Sequence, residues 1–241
     1  MARGSGACEA VQGPAVLPLS TVALSKRVAA EALGTCLLLA TVVGSGIMGD
    51  RLDQGNEAVA LLANTLATGA GLVAYITVFG PISGAHFNPA VSLVERVRGR
   101  LTTTEFGAYT GAQIVGGVVG VLLAHIMFGL PLLQLSTHER TGSGQWVAEG
   151  IATFGLVTVI LGSSARTPER TPVLVGLYIV AAYWFTASTS FANPAVTLAR
   201  ALTDTFAGIR PLDVPGFAVA QIAGALLASM VWQRVFAVEV A

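Results

Sequence analysis

The tripeptide Asn-Pro-Ala occurs twice in this chain, at Asn88-Pro89-Ala90 and at Asn193-Pro194-Ala195, each time beside a long apolar stretch. The similarity extends around the motif, since residues 85–93 can be matched to residues 190–198. Asparagine is favourable at the amino-terminal cap of a helix, and proline is tolerated in the first turn, where its missing N–H is not needed. Each copy therefore predicts the start of a helix, and two copies indicate a duplicated architecture.

The composition is that of an integral membrane protein. Apolar residues make up 54% of the chain, charged residues only 11%, and the mean hydropathy is +0.72, whereas about 25% of the residues of a soluble domain carry charge. The formal net charge is zero, which leaves no basic field for nucleic acid. The 2 cysteines and 3 scattered histidines offer neither a disulfide framework nor metal-site spacing. We therefore expect no cofactor and no bound metal.

Six apolar runs are long enough to cross a bilayer, which takes about 20 helical residues. We predict spanning helices at about 27–49, 57–80, 104–129, 146–164, 172–191 and 216–237. Two shorter segments, about 88–97 and 193–202, follow the Asn-Pro-Ala copies, and ten helical residues rise only about 15 Å. Non-helical backbone is tolerated at that depth only inside protein or beside a water-filled path. These segments are therefore predicted to be re-entrant half-helices that meet near the midplane, with interfacial helices or tight turns as the alternative.

An internal repeat relates the two halves of the chain. Residues 30–35 match residues 148–153, and residues 112–116 match residues 220–224, with one Asn-Pro-Ala motif between the members of each pair. Each half contains three spans, an odd number, so the second half must enter the membrane upside down. Inverted repeats place the functional site near the midplane.

The predicted fold is thus an all-α membrane protein with six transmembrane helices and two re-entrant half-helices in an inverted repeat. A cytoplasmic amino-terminal tail at 1–26 precedes a single channel domain at 27–241, whose repeats cover about 27–129 and 146–237.

The distribution of basic residues predicts which way the chain faces. With both termini inside, cytoplasmic segments are richer in basic residues than outer segments, as the positive-inside rule requires. The cytoplasmic set is Arg3, Lys26, Arg27, Arg96, Arg98, Arg100, Arg166, Arg170 and Arg234, and the outer set is Arg51, Arg140, Arg200 and Arg210. We therefore predict a multi-pass protein of the plasma (inner) membrane with both termini in the cytoplasm.

These features together resemble the aquaporin, or major intrinsic protein, family. The stretch Ser83–Val91 is similar to the first signature of that family, and the resemblance extends over about 27–237. It implies a right-handed six-helix bundle in membrane lipid, usually a homotetramer with one pore in each subunit. It also implies passive conduction of water and small neutral solutes, without catalysis.

Two asparagines are the candidate centre of such a pore, and four further buried polar residues are predicted to have structural roles. If the half-helices meet head to head, Asn88 and Asn193 cap them and turn side-chain N–H donors towards the lumen, where the helix dipoles oppose cations. Glu31 and Glu149 lie within spanning segments, where charge is costly and usually functional or paired. The resemblance implies that they accept hydrogen bonds from the unwound loops, and a proton relay is the alternative. Gln113 and Gln221 are polar residues in apolar helices and are predicted to join neighbouring helices.

The chain departs from its family at the outer constriction. Most aquaporins have arginine directly after the second Asn-Pro-Ala, whereas this chain has Val196, and Arg200 four residues further on cannot be assumed to replace it. The acidic residue frequent at the next position in glycerol-conducting members is Thr197 here. The constriction is therefore predicted to lack a fixed positive charge.

The other three positions of the constriction follow by counting from the motifs. Thr68 stands where water-selective members carry a large aromatic residue, and Ser190 precedes the second motif. The fifth-span position is either Ala181 or Tyr183, depending on the direction of counting, and Tyr183 is preferred. A constriction of Thr68, Tyr183, Ser190 and Val196 favours uncharged solutes larger than water.

Three alternatives remain at this point. The first is a wide channel mainly for polyols, urea or metalloid hydroxides such as arsenous acid. The second is another inverted-repeat channel, for formate or ammonia, and the third is a secondary transporter driven by protons through Glu31 and Glu149. An enzyme is not expected, because the sequence contains no nucleophile–base set, phosphate-binding loop or metal cluster.

Overall fold

The computed structural model describes residues 21–236, and helices account for most of them. The helices are α1 (Leu24–Leu52), α2 (Glu57–Ser83), α3 (Pro89–Val97), α4 (Thr103–Phe128), α5 (Ser143–Arg166), α6 (Thr171–Phe185), α7 (Pro194–Arg200) and α8 (Val214–Val231). Short helical turns cover Pro168–Arg170, Pro211–Asp213 and Trp232–Phe236. The predicted all-α architecture with two half-helices, α3 and α7, is confirmed.

The predicted fifth span is too long at its carboxyl end. Four of the long helices and the stretch Pro211–Phe236 are long and apolar enough to cross a membrane. The helix α6, by contrast, has only 15 residues, a rise of about 22 Å. It ends at Phe185 rather than near residue 191 because the chain there turns into an irregular loop that leads to α7. The predicted span ran on to about residue 191, across a stretch that is mostly Ser and Thr.

Most of the predicted amino-terminal tail, 1–26, lies outside the described residues. The helix α1 begins at Leu24, so the last three residues of that predicted tail belong to the first helix. The sixth span likewise ends as a regular α-helix at Val231 and continues as one wider turn to Phe236.

The two halves of the chain pack in matching ways. Helix α1 packs against α4, and α5 packs against α8, while α2 and α6 join the halves. Glycines permit both close approaches: Gly116 of α4 lies against the Ala32 carbonyl of α1, and Gly224 of α8 lies against the Gly150 carbonyl of α5. Small residues let helix backbones approach closely in lipid. The repeat seen in the sequence is thus a repeat of helix contacts.

The half-helices lie inside this bundle, with their amino termini towards its centre. Helix α3 contacts α4 and α8, helix α7 contacts α4 and α8, and the two half-helices contact each other. We call the end of the bundle where α1 begins the amino-terminal end, and the other the opposite end. The half-helices run from the centre to these two ends and place a motif from each half at the same depth.

Candidate conducting pore

The chain adopts left-handed backbone immediately before each half-helix. The φ angles are 49° at Ala85 and 48° at Phe87 in the first loop, and 51° at Ser190 and 49° at Ala192 in the second. Non-glycine residues rarely adopt this conformation, and it persists only where the surroundings enforce it. The positive φ angles occur at matching positions of the repeat. We therefore expect the contacts that hold the two loops in this conformation to match as well.

Glu31 holds the first loop. Its Oε1 accepts hydrogen bonds from the Ser83 hydroxyl at 2.6 Å and the His86 N–H at 2.9 Å, and its Oε2 accepts from the Phe87 N–H at 2.7 Å. The carboxylate is fully buried. Successive backbone N–H groups in such loops form a concavity that suits an anion. The predicted hydrogen bonds between this glutamate and the unwound loop are present.

Glu149 holds the second loop in the same way. Its two oxygens accept hydrogen bonds from the N–H groups of Phe191 and Ala192, both at 2.8 Å. The side-chain amide of Gln221 donates to the same carboxylate at 2.6 Å and to the Thr197 hydroxyl at 2.8 Å. A glutamine from α8 thus ties helix α5 to the half-helix α7.

Gln113 performs the equivalent bridging in the first half. Its amide donates to Glu31 Oε2 at 2.8 Å and to the Ser92 hydroxyl at 3.0 Å, and the side chain is fully buried. The two carboxylates and the two glutamine Nε2 groups therefore bind the loops and half-helices, whereas Gln113 Oε1 and Gln221 Oε1 are buried without a partner among the described residues. No proton donor or acceptor is left facing the lumen from these carboxylates among the described contacts.

The two asparagines cap their own half-helices and also bind the opposite loop. Each Oδ1 accepts from the backbone N–H two residues further on, at 2.9 Å for Asn88 and 3.0 Å for Asn193. Asn88 Nδ2 donates to the Ala192 carbonyl and Asn193 Nδ2 to the Phe87 carbonyl, each at 2.8 Å. The sequence predicted that the asparagine side chains turn N–H donors towards the lumen. Each amide has two N–H groups, and the bond to the opposite loop uses one of them. The second N–H of each asparagine is left to bind a solute in the lumen.

A cavity of about 230 Å³ passes both asparagines. Its walls are mainly apolar and include Leu38, Val42, Leu72, Leu156, Val175 and Ile179. At the amino-terminal end it is bordered by Glu95 and Arg100, which form an ion pair at 3.3 Å, and at the opposite end by Tyr183 and Arg200. An apolar lumen with a few polar groups suits a neutral solute that exchanges hydrogen bonds at fixed points.

All four predicted constriction residues line this cavity near the opposite end. Thr68, Tyr183, Ser190 and Val196 are each at most 5% exposed. The Tyr183 hydroxyl lies 3.4 Å from the Thr68 hydroxyl, so α6 and α2 meet there through polar groups. The Ser190 hydroxyl is buried without a hydrogen-bond partner among the described residues.

The two candidates from the fifth span point in different directions. Ala181 is exposed on the outer surface of the bundle, whereas Tyr183 is buried and borders the cavity. Because they lie two residues apart on one helix, they cannot share a face.

Bulky substitutions at these two positions test which one controls passage. We expect Tyr183→Trp to lower glycerol flux into proteoliposomes by about tenfold, because each 1.4 kcal/mol of added barrier slows passage tenfold. Ala181→Trp is the matched control and should leave the flux unchanged, since Trp is tolerated on lipid-facing surfaces. Equal fluxes through both variants would exclude Tyr183 from the constriction.

None of the four predicted constriction residues is charged, but a fixed positive charge borders the same cavity one helical turn away. Arg200, one helical turn beyond Val196, is only 2% exposed and borders the cavity. Its guanidinium lies 3.4 Å from the centre of the Phe191 ring, and its Nε donates to the Ala207 carbonyl. The α7 helix is short enough that its last residue still lies inside the bundle, which sequence counting alone did not reveal.

Arg140 does not line the cavity, but it binds the loops that surround its opposite end. Its guanidinium donates to the Gly208 carbonyl at 2.8 Å and to the Ser188 carbonyl at 3.4 Å, and it lies 5.0 Å from the Phe191 ring. Burial lowers the pKa of this guanidinium from its ordinary value. Sequence analysis placed Arg140 only in an outer loop, because the carbonyls it binds lie far along the chain.

Two hydroxyl residues also take part in the polar network, a role that sequence analysis did not predict. Ser92 and Thr197 occupy matching positions after the two motifs, and each accepts a hydrogen bond from the bridging glutamine of its half. The signal was present, because both copies carry a hydroxyl at this position of the repeat.

Comparison with known proteins agrees with this architecture. The family described as Major intrinsic protein matches residues 18–188. The aquaglyceroporin AqpS of Rhizobium meliloti (strain 1021) is 59% identical over 211 residues, which cover 87% of this chain and 90% of that protein. The chain belongs to the major intrinsic protein family. As a member of this family it is a multi-pass membrane channel for water and small solutes, and not an enzyme.

More distant members of the major intrinsic protein family share the same framework. The probable aquaporin NIP4-2 of Arabidopsis thaliana is 31% identical over 192 residues, or 76% of this chain and 66% of that protein. The X-ray structure of the aquaglyceroporin from Plasmodium falciparum superimposes with a TM-score of 0.74 at 21% identity, covering 88% of this chain and 97% of that chain. At this identity, the last similarity supports the fold alone.

Proposed function

We propose that this channel conducts glycerol-sized uncharged polyols as well as water, through a pore within each subunit. The observation that carries the proposal is the constriction itself, where Thr68 and Val196 stand in place of larger or charged side chains. The relative that is 59% identical bears the name aquaglyceroporin, which favours polyols over the metalloid hydroxides that the sequence left open. Asn88 and Asn193 supply the central hydrogen-bond donors to the passing solute.

Osmotic jumps on proteoliposomes test this function. Light scattering is followed after separate jumps with sucrose and with glycerol. We expect rapid shrinkage in sucrose, and shrinkage followed by re-swelling in glycerol as the polyol enters. Neither rate should respond to a pH gradient or saturate with solute, because a pore does not cycle between states as a transporter does. Vesicles that remain as slow as empty ones would exclude an open pore.

The size of the constriction is tested at Val196. We expect Val196→Arg to abolish glycerol re-swelling while water flow persists, because a guanidinium on a longer stem fills the space opposite Thr68. Val196→Leu is the control, since it adds bulk without charge or a long stem, and should keep at least half of the glycerol flux. Unchanged glycerol entry in Val196→Arg would mean that this position does not border the narrowest point.

We also infer the cellular setting of the channel. The excess of arginine and lysine in the segments near the amino-terminal end supports cytoplasmic termini in the plasma (inner) membrane. The exposed apolar residues on the outer helix surfaces suit membrane lipid and neighbouring subunits. The family resemblance supports a homotetramer in which each subunit retains its own pore.

A further inference from the structure

Arg200 places a positive charge at the opposite end of the cavity without a neutralising partner. No carboxylate forms an ion pair with it in the part of the chain that the structure describes. A nearly fully buried cation is usually paired or bound to several acceptors, yet within residues 21–236 the Arg200 side chain donates a single hydrogen bond, to the Ala207 carbonyl. Such an exception calls for a functional explanation.

The remaining donors of this guanidinium are available to the lumen. One face of the group rests on the Phe191 ring, and its Nε is bound to Ala207. Neither Nη atom of Arg200 has a hydrogen-bond partner among the described residues. The polar atoms that are completely buried without a partner do not include them. Because Arg200 borders the cavity, these N–H groups are the part of the side chain that a passing molecule can reach.

The position of this charge is fixed by aromatic stacking. Phe191, which supports Arg200, packs edge-on against Phe217 with ring centres 5.2 Å apart. The second cation, Arg140, lies near the same ring and is held by backbone carbonyls. A cation on an aromatic face is stabilised by the ring quadrupole, which allows Arg200 to remain buried without a carboxylate.

The unpartnered Ser190 hydroxyl borders the same part of the cavity. It gives a neutral solute a hydrogen-bonding group beside the charge, so a polyol hydroxyl can replace water there at little cost. The hydroxyl oxygen can also accept from hydronium or bind a cation, so discrimination must come from the field of Arg200, which is strong in a surrounding of low polarity.

We propose that Arg200 supplies the side-chain charge that excludes cations, including hydronium, from this pore, in place of a charge at position 196 and in addition to the half-helix dipoles. A fixed charge lining a narrow path selects against ions of the same sign. Its location one turn beyond Val196 leaves the constriction wide, so that size and charge selection are separated along the path. This inference rests on the proposed function, since a cation barrier has meaning only in an open pore.

Proton leak in proteoliposomes tests this role. An inward proton current is driven by a valinomycin-induced potassium potential and followed with an internal pH dye, and water permeability is measured on the same vesicles. The variants are Arg200→Gln, which removes the charge, and Arg200→Lys, which keeps it. Arg51→Gln is the matched control, because Arg51 also stacks on a phenylalanine and donates to a backbone carbonyl, but it is exposed and does not border the cavity.

We expect Arg200→Gln to raise the ratio of proton leak to water permeability by about tenfold or more. Arg200→Lys and Arg51→Gln should remain as tight as the wild type. A tight Arg200→Gln channel that still conducts water would overturn the proposal, as would an Arg200→Lys channel that leaks as strongly as Arg200→Gln. Loss of water flow in both Arg200 variants would assign the residue to holding Ala207 and would equally overturn it. A wild type without water flow would instead contradict the proposed function.

Discussion

Glu31→Leu abolishes conduction and strongly destabilises the protein, if the carboxylate holds the first loop as described. Leucine has similar size but accepts no hydrogen bonds, so the donors of Ser83, His86, Phe87 and Gln113 lose their partner inside the bundle. Each buried unsatisfied donor costs about 1–3 kcal/mol, so the sum is about 5 kcal/mol or more. The measurement is thermal unfolding in detergent, together with osmotic water permeability of reconstituted vesicles.

The matched control is Glu31→Gln, which keeps the shape and one acceptor oxygen. We expect a partial loss of stability, because the new amide NH₂ group replaces one oxygen and can no longer accept hydrogen bonds from the donors of the loop. Water flow should remain measurable, because the other oxygen still accepts hydrogen bonds. This variant also separates the channel from the transporter alternative. If solute uptake in the wild type depended on a proton gradient and Glu31→Gln removed that dependence, the carboxylate would be a proton carrier and the structural role assigned here would be wrong.

Gly116→Ala is the second substitution with a large expected effect. The added methyl group meets the Ala32 carbonyl and its neighbouring backbone atoms, which cannot move aside as a flexible side chain can. Overpacking of this kind costs about 1–3 kcal/mol, and it forces α4 away from α1 near the level of Glu31 and Gln113. We expect a lower unfolding temperature in detergent and reduced water permeability.

Gly111→Ala provides the control within the same helix. An added Cβ at Gly111 contacts nothing within 4 Å, and alanine favours helix over glycine by about 1 kcal/mol. This variant should be as stable as the wild type or slightly more so. If both alanine variants behaved alike, the close approach of α1 and α4 at Gly116 would not matter for stability.

The features most accessible from the sequence were those that recur in both halves. The half-helices, the asparagine caps and the buried glutamates each have a counterpart about 105 to 118 residues away. A motif that recurs in the same order in both halves is less easily explained as a chance match than a single copy. Their local chemistry, a cap followed by proline, is also short-range and therefore visible in the sequence.

The features that sequence analysis missed depend on contacts between distant segments. The Ser and Thr cluster at 186–190 is a loop signal, but the contact that holds this loop comes from Glu149 of another helix and has no local signature. The position of Arg200 is set by Phe191 and by the Ala207 carbonyl, and no periodicity predicts such a stack. Arg140 binds carbonyls that lie about 48 to 68 residues further along the chain.

The exchange of hydrogen bonds between the two asparagines has a consequence for biosynthesis. Asn88 finds its acceptor in Ala192, 104 residues later in the chain, and Asn193 returns the bond to Phe87. While the ribosome is still making the second half, the first loop lacks its partner. Contacts between such distant residues form late, because the intervening chain must first be made and inserted. The two loops can therefore complete the centre of the lumen only after the second half of the chain has been inserted.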